Sequence, residues 1–257
     1  MEQEIQNNPE TTSPNTPAPA NNAGQIAGAI IVAGLMIAGA ILLRGNTTPT
    51  TEGEVKIANE AKMNKAVPIF SACLDWGRYA EAVADATNAG RLAGVSGTPK
   101  GFILRDGKVV DTIDGALPFS TVKTKIESAL AGKSKEITSI KFAPVSASDF
   151  TLGLSVAPVT VVVYADFQCP FCDRFFKDSE KNIRDTYVKD NTVQLVYRDF
   201  AFLGPESSKA SEAARCAGEQ GQFWEYHDYL YNHQNGENRG AFANANLKSF
   251  AKELKLK

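Results

Sequence analysis

The sequence predicts an α/β domain carried behind one membrane-spanning helix, and three observations predict it. Val159 to Tyr164 and Val193 to Tyr197 are apolar, β-rich runs on either side of a helical pattern, which reads as a β-α-β unit. Asp106-Gly107 lies between two further β-rich runs and reads as a hairpin turn, because a type I′ turn needs φ > 0 at both central residues. Ile26 to Leu43, "IAGAIIVAGLMIAGAILL", is an uncharged run of mostly aliphatic or small residues.

The chain has 257 residues, 43% hydrophobic and 22% charged, ordinary values for a globular protein. A net charge of −2 and the lack of a long Lys/Arg run leave no electrostatic footprint for nucleic acid. Four cysteines are few for a disulfide scaffold, so a packed core must carry stability. Two histidines narrow the options for acid–base or metal chemistry.

In chain order, residues 1–23 are rich in Asn, Pro, Thr and Glu and read as a disordered tail. Residues 24–44 read as a transmembrane helix: at about 1.5 Å per residue the apolar run covers roughly 27 Å. The alternative, a buried core helix, lacks a neighbouring core to enter. A cleavable signal peptide is disfavoured because no basic region precedes the run. Gly24 and Gly28 form a weak GxxxG dimerisation motif. The first basic residue, Arg44, follows the span, while Glu2, Glu4 and Glu10 precede it, so charge mildly favours the C-terminal part inside. The thiol chemistry of the downstream domain favours the opposite orientation.

After a linker at 45–64, Trp76 to Leu92 has the spacing of a helix, with Tyr79, Val83 and Ala86 on one face. The hairpin at 101–113 follows, then a helix from about Ser120 with Val122, Ile126, Ala129 and Leu130 together. A second half begins near Ile137. Past the β-α-β unit, helices are expected from Pro205 to Glu219, around Phe223, Trp224, His227, Leu230 and Tyr231, and around Leu247, Phe250, Ala251 and Leu254. No internal repeat is visible.

The chemistry concentrates in "DFQCPFCDRFF". Cys169 and Cys172 open a helix directly after a strand. The unpaired N–H groups and dipole of a helix start favour a thiolate at Cys169, and Cys172, one turn in, faces the core. A strand-CxxC-helix within a β-α-β unit signals a thiol redox turn. The alternative is a zinc site of Cys73, Cys169, Cys172 and Cys216, though only one CxxC pair is present where structural sites usually show two.

"PVTVVVYADFQCPFCDRFF", "EAARCAGEQGQFWEYHDYLY", "CLDWGRYAEAV" and "GVSGTPKGFI" each resemble segments of DsbA-family thiol-disulfide oxidoreductases, which have a thioredoxin-like fold with an inserted helical subdomain. The pieces span most of residues 68–257, but in the reverse of the family's order. The half carrying the Thr-Pro loop and hairpin (65–132) precedes the CxxC half (137–257). A circularly permuted domain over 65–257 would account for this, since permutation is tolerated where new termini fall at exposed sites. Two alternatives stay open. The halves could belong to a truncated tandem array and pair between molecules, or their order could have been introduced in assembling the gene.

The resemblance implies that Cys169 is the attacked, solvent-facing sulfur and Cys172 its buried partner. Thr98 and Pro99 match the loop whose prolyl bond is cis in the family and which pairs with an extended substrate segment. Cys73 and Cys216 match positions that form a structural disulfide in some members; two buried free thiols are the alternative. Asp166 reads as solvated, with proton relay as the alternative, and His227 as a packing residue. The activity expected is that of a membrane-anchored extracytoplasmic oxidoreductase acting on cysteine pairs of secreted proteins. It needs no cofactor or metal, and the resemblance implies a quinone-linked membrane protein that reoxidises it. A reductase or isomerase of the same fold, or a non-catalytic anchored peptide-binding module, is the alternative.

Overall fold

An unbroken run of β-branched residues belongs in a strand with both faces covered. The computed structural model, which describes residues 68–257, puts Val159–Ala165 (β4) at the centre of a five-stranded sheet. Its other strands are β1 (Lys100–Arg105), β2 (Lys108–Asp114), β3 (Phe150–Leu152) and β5 (Val193–Asp199), in the order β2-β1-β4-β5-β3. β4 and β5 are parallel, and every other neighbouring pair is antiparallel. The hairpin residues Asp106 and Gly107 have φ of 51° and 74°, as the type I′ reading requires. The expected tail, membrane helix and linker lie outside the described residues. Among the described residues no helix is long and apolar enough to cross a membrane.

The central seam of the sheet joins the two halves of the sequence. β1, from the upstream half, pairs with β4 from Lys100↔Tyr164 to Arg105↔Val159. The described residues belong to one compact unit, Lys65–Lys257. Alternation along each strand divides the side chains between two cores. Ile103, Val161, Val163, Leu195 and Tyr197 enter the larger one. It includes α3 (Phe119–Leu130) and the long helical run α4 at 170–188, which opens with Pro170–Phe175 and widens into π turns at Phe176–Glu180 and Arg184–Val188.

Phe102, Leu104, Val162, Tyr164 and Val196 face the other way. There they meet Ala93 and Val95, which follow α2 (Ala80–Leu92), and a strap bearing Ile137, Ile140, Phe142 and Val145. Gly90 of α2 permits the close approach: a Cβ there would lie 2.7 Å from Phe200 and 3.0 Å from Tyr164. Arg198 holds the strap. It donates to both carboxylate oxygens of Asp149 at 2.8 and 2.9 Å and to the carbonyls of Ala143 and Pro144 at 2.9 Å each.

A helical layer completes the unit: α1 (Ile69–Asp75), α5 (Pro205–Gly218), α6 (Phe223–His233) and α7 (Asn244–Glu253). The single helix expected from Trp76 is corrected here, because two helices meet at a turn. Gly77 takes φ +60°, while its N–H bonds Leu74 and that of Arg78 bonds Cys73, a Schellman closure of α1. Trp76 is left 76% exposed. Cys73 on α1 and Cys216 on α5 are joined as a disulfide, Cα–Cα 5.9 Å, across 143 residues of chain. Near it the Phe70 N–H donates to the Lys257 carbonyl at 2.6 Å.

Candidate active site

β4 delivers the chain to a tight turn. The Cys169 N–H bonds the Asp166 carbonyl at 3.1 Å, and Cys169 itself is the last residue before α4. Pro170 occupies the first helical position, where its missing N–H costs nothing and its ring presets φ. The Cys169 thiol therefore lies beside the open amides of the helix start, and Cys172, one turn on, points into the core at 2% exposure.

The upstream half closes over this turn. Thr98-Pro99 is a cis peptide, and the Cys169 thiol donates to the Thr98 carbonyl at 3.4 Å. The Thr98 hydroxyl is buried with no partner of its own, so it is available to a thiolate at Cys169. From the helical layer, the Gln234 side chain donates to the Cys169 carbonyl at 3.4 Å. The structure thus brings Cys169, Cys172, Thr98 and Pro99 together, and places Cys73 and Cys216 apart from them as a bonded pair. That pairing removes the latter two as zinc ligands, so the four-cysteine alternative is corrected.

The two thiols differ in acidity. A hydrogen bond from the Cys172 thiol, outweighing desolvation and helped by the Thr98 hydroxyl and the amides of Phe171 and Cys172, pulls Cys169 down to about 6. Burial, with the Cys169 charge beside it, pushes Cys172 well above the ordinary thiol value. The expectation that Cys169 faces solvent is corrected: it is 4% exposed, covered by the Thr98-Pro99 loop and the turn itself.

Asp166 also departs from expectation. It is fully buried rather than solvated, because the downstream loop folds over it. Its carboxylate accepts from Ser207 Oγ at 2.7 Å and from the N–H groups of Gln168, Phe202 and Leu203 at 2.9, 3.0 and 3.2 Å. Burial pushes its pKa up against these four bonds. Gln168 extends the network to Ser207 at 2.8 Å and to the Asn238 N–H at 2.5 Å. No local motif marks Gln168, Ser207, Gln234 or Asn238; their partners are distant in sequence.

His227 is wholly buried among Phe167, Tyr197 and Tyr231, a packing position. Glu180, His227 and Asp228 cluster as cation ligands could, but Arg184 already bonds both carboxylates, so the cation there is a guanidinium.

Fold and site together define a thioredoxin-like protein with a dithiol turn set against a cis-proline loop. A family model described as Thioredoxin matches residues 146–257. Similar proteins include the Na(+)/H(+) antiporter NhaA 3 of Salinispora tropica, 40% identical over 108 residues, covering 41% of this chain and 16% of that one. The Probable disulfide bond formation protein D of Bacillus anthracis is 33% identical over 86 residues, covering 33% and 40%. Among solved structures, oxidised BdbD from Bacillus subtilis is 28% identical, covers 41% of this chain and 58% of that one, and has a TM-score of 0.38. The chain therefore carries a thioredoxin-like domain and resembles, over part of its length, disulfide bond formation proteins. It spans less than half of the length of the two curated relatives named.

Proposed function

We propose that this protein is a membrane-anchored, extracytoplasmic thiol-disulfide oxidoreductase that oxidises cysteine pairs of secreted proteins through a Cys169–Cys172 disulfide. One observation carries the reading: the Thr98 carbonyl lies 3.4 Å from the Cys169 sulfur, so a cis-proline loop and a CxxC turn share one surface. In the oxidised form, a substrate thiolate attacks Cys169 Sγ. The Cys169–Cys172 bond breaks, and the electron pair leaves on Cys172, which takes up a proton. The substrate's second thiolate then attacks the mixed disulfide at the substrate sulfur. That releases Cys169 as a thiolate and the substrate as a disulfide. The substrate has lost two electrons and the enzyme has gained two. Release is favoured by whatever stabilises the Cys169 thiolate.

Thr98 is the proposed backbone partner for an extended substrate, with Pro99 offering no competing N–H. A quinone-linked membrane protein is the proposed reoxidant. The disulfide of Cys73 and Cys216 supports an oxidising compartment, since structural disulfides are rare in reducing ones. The membrane anchor rests on the apolar run at residues 26–43. We further read residues 65–257 as a circularly permuted domain, supported by the pairing of β1 with β4 within one chain.

The test uses the full chain in detergent, oxidised, with a reduced model protein whose disulfide formation is followed. Acceleration by the protein and its loss in Cys169→Ser are expected. Equal rates for the two remove the assignment. A measured potential for the Cys169–Cys172 pair separates oxidase from reductase or isomerase.

A further inference from the structure

Disulfide exchange makes no use of the outer side of α1, yet two large apolar side chains lie open there. Ile69 is 52% exposed and Trp76 76%. They stand about two turns apart and so share one stripe of the helix, while Phe70, Cys73 and Leu74 take its buried side. Single exposed apolar residues are ordinary on a protein surface. A stripe that includes a tryptophan suits a partner with an apolar body and a polar edge, because the ring is apolar and its N–H is not.

α7 runs antiparallel beside α1 and brings positive charge to it. At one end Lys248 pairs with Asp75 at 2.6 Å, and at the other the Phe70 N–H meets the Lys257 carbonyl at 2.6 Å. Gln220 pins Lys257 further, accepting its N–H at 2.8 Å and donating to its carbonyl at 3.1 Å. The Leu256 N–H turns back onto the Ala251 carbonyl at 2.9 Å, with Lys255 at φ 60°. The backbone carrying Lys255 and Lys257 is thus fixed against the start of α1. Lys252, Lys255 and Lys257 are exposed, and among the described residues none of them forms an ion pair. Neighbouring carboxylates are already engaged: Asp75 by Lys248, Glu219 by Arg78 and Glu253 by the Tyr229 hydroxyl.

Charge and chain order choose the occupant. A second copy docked on this face about a two-fold axis would set the same lysines against each other. An anionic surface meets them with opposite charge, and the apolar run at residues 26–43 precedes α1 in the chain. We propose that α1 and the end of α7 form a membrane-docking face: Ile69 and Trp76 enter the interfacial layer of a bilayer, and Lys252, Lys255 and Lys257 lie against anionic lipid headgroups. Tryptophan is favoured at that depth, and lysine keeps its charge among the headgroups while its stem lies on apolar surface. The inference rests on the membrane-anchored reading and deepens it by naming the side of the domain that meets lipid.

The chain has two tryptophans, and Trp224 is held inside the domain by a bond from its N–H to the Thr151 carbonyl at 3.1 Å. Trp224→Phe therefore leaves Trp76 as the only reporter. The full chain with that change is reconstituted in phosphatidylcholine vesicles, with or without phosphatidylglycerol, whose acyl chains are brominated near the headgroup. Quenching of Trp76 emission is expected in the anionic vesicles. Each lysine at an anionic surface shifts the docked-to-free ratio roughly fivefold, so changing Lys252, Lys255 and Lys257 together to Gln should lower it on the order of a hundredfold. Absent quenching in anionic vesicles, or quenching that the triple variant leaves unchanged, overturns the proposal. So does a dimer in detergent that Trp76→Lys dissociates, which assigns the face to a second copy. If Trp224→Phe does not fold, the difference between wild type and Trp76→Phe reads the same quantity. Flotation of the vesicles is measured alongside. A chain that does not float removes the anchored reading itself, while one that floats with Trp76 unquenched removes only this inference.

Discussion

The acidity of Cys169 has one largest cause, the hydrogen bond from the Cys172 thiol, and deleting that donor is the sharpest perturbation of the site. With a midpoint of about 6 the thiolate fraction at pH 6.5 is roughly three-quarters. A hydrogen bond to a charged group contributes about 1.5–3 kcal/mol, which corresponds to about one to two pH units. Cys172→Ala should therefore titrate between roughly 7 and 8, leaving about one-tenth thiolate at pH 6.5 for a midpoint near 7.5. Cys172→Ser keeps an O–H donor at the same place and should fall between wild type and Cys172→Ala. The assay is the pH dependence of Cys169 alkylation by iodoacetamide in the reduced chain, with Cys169→Ser as the blank. Identical midpoints for wild type and Cys172→Ala would refute the assigned cause and leave the Thr98 hydroxyl and the helix-start amides as the sources of acidity.

Four further outcomes are expected. Because the Cys169 pKa is depressed from 9.0 to about 6 on folding, the reduced form gains stability from it that is complete above about pH 9 and gone below about pH 6. The denaturant midpoint of the reduced protein, taken relative to that of the oxidised protein, should therefore fall as pH falls through that window. Replacing both Cys73 and Cys216 by Ala opens a closure of 143 residues. The chain-entropy model puts its loss at no more than about 5 kcal/mol, so thermal unfolding should move down by up to roughly 10–20 °C. Gly90→Val drives a branched side chain into Phe200 and Tyr164 and should cost about 1–3 kcal/mol in urea unfolding. Arg198→Met removes the cation paired with Asp149, 11% exposed, and leaves it only the Ser146 donors; it should cost about 3 kcal/mol while leaving the Cys169 midpoint unchanged.

Strands and the hairpin were legible because each has a local cause. Val159 to Tyr164 carries its own burial signal, and Asp106-Gly107 its own turn chemistry. The break at Gly77 was not legible, since Tyr79, Val83 and Ala86 keep helical spacing and only the closure of α1 onto Cys73 and Leu74 reveals the turn. β3 escaped notice because three residues are too few to show a period, and their pairing is supplied by β5.

Within the site, the CPFC spacing and its place before a helix marked Cys169 and Cys172 without coordinates. The accessibility of Cys169 and the burial of Asp166 were misjudged for one shared reason. What covers Cys169 includes Thr98, 71 residues upstream, and what satisfies Asp166 comes from Phe202, Leu203 and Ser207, 36 to 41 residues downstream. A charged side chain next to a reactive turn reads as solvated unless its donors are known.

By itself, the sequence determined most of the strands and helices, where a dithiol turn opens, and which segments resemble one family in reversed order. Those are local properties, set by side-chain period, turn preference and residue type over a few positions. Only the tertiary structure decided that β1 pairs with β4, that Thr98 lies on the Cys169 sulfur, and that Asp166 is buried under the loop at Phe202 and Leu203. Such contacts depend on which distant segments find each other when both faces of the sheet must be covered, and that choice is made by packing across the whole unit.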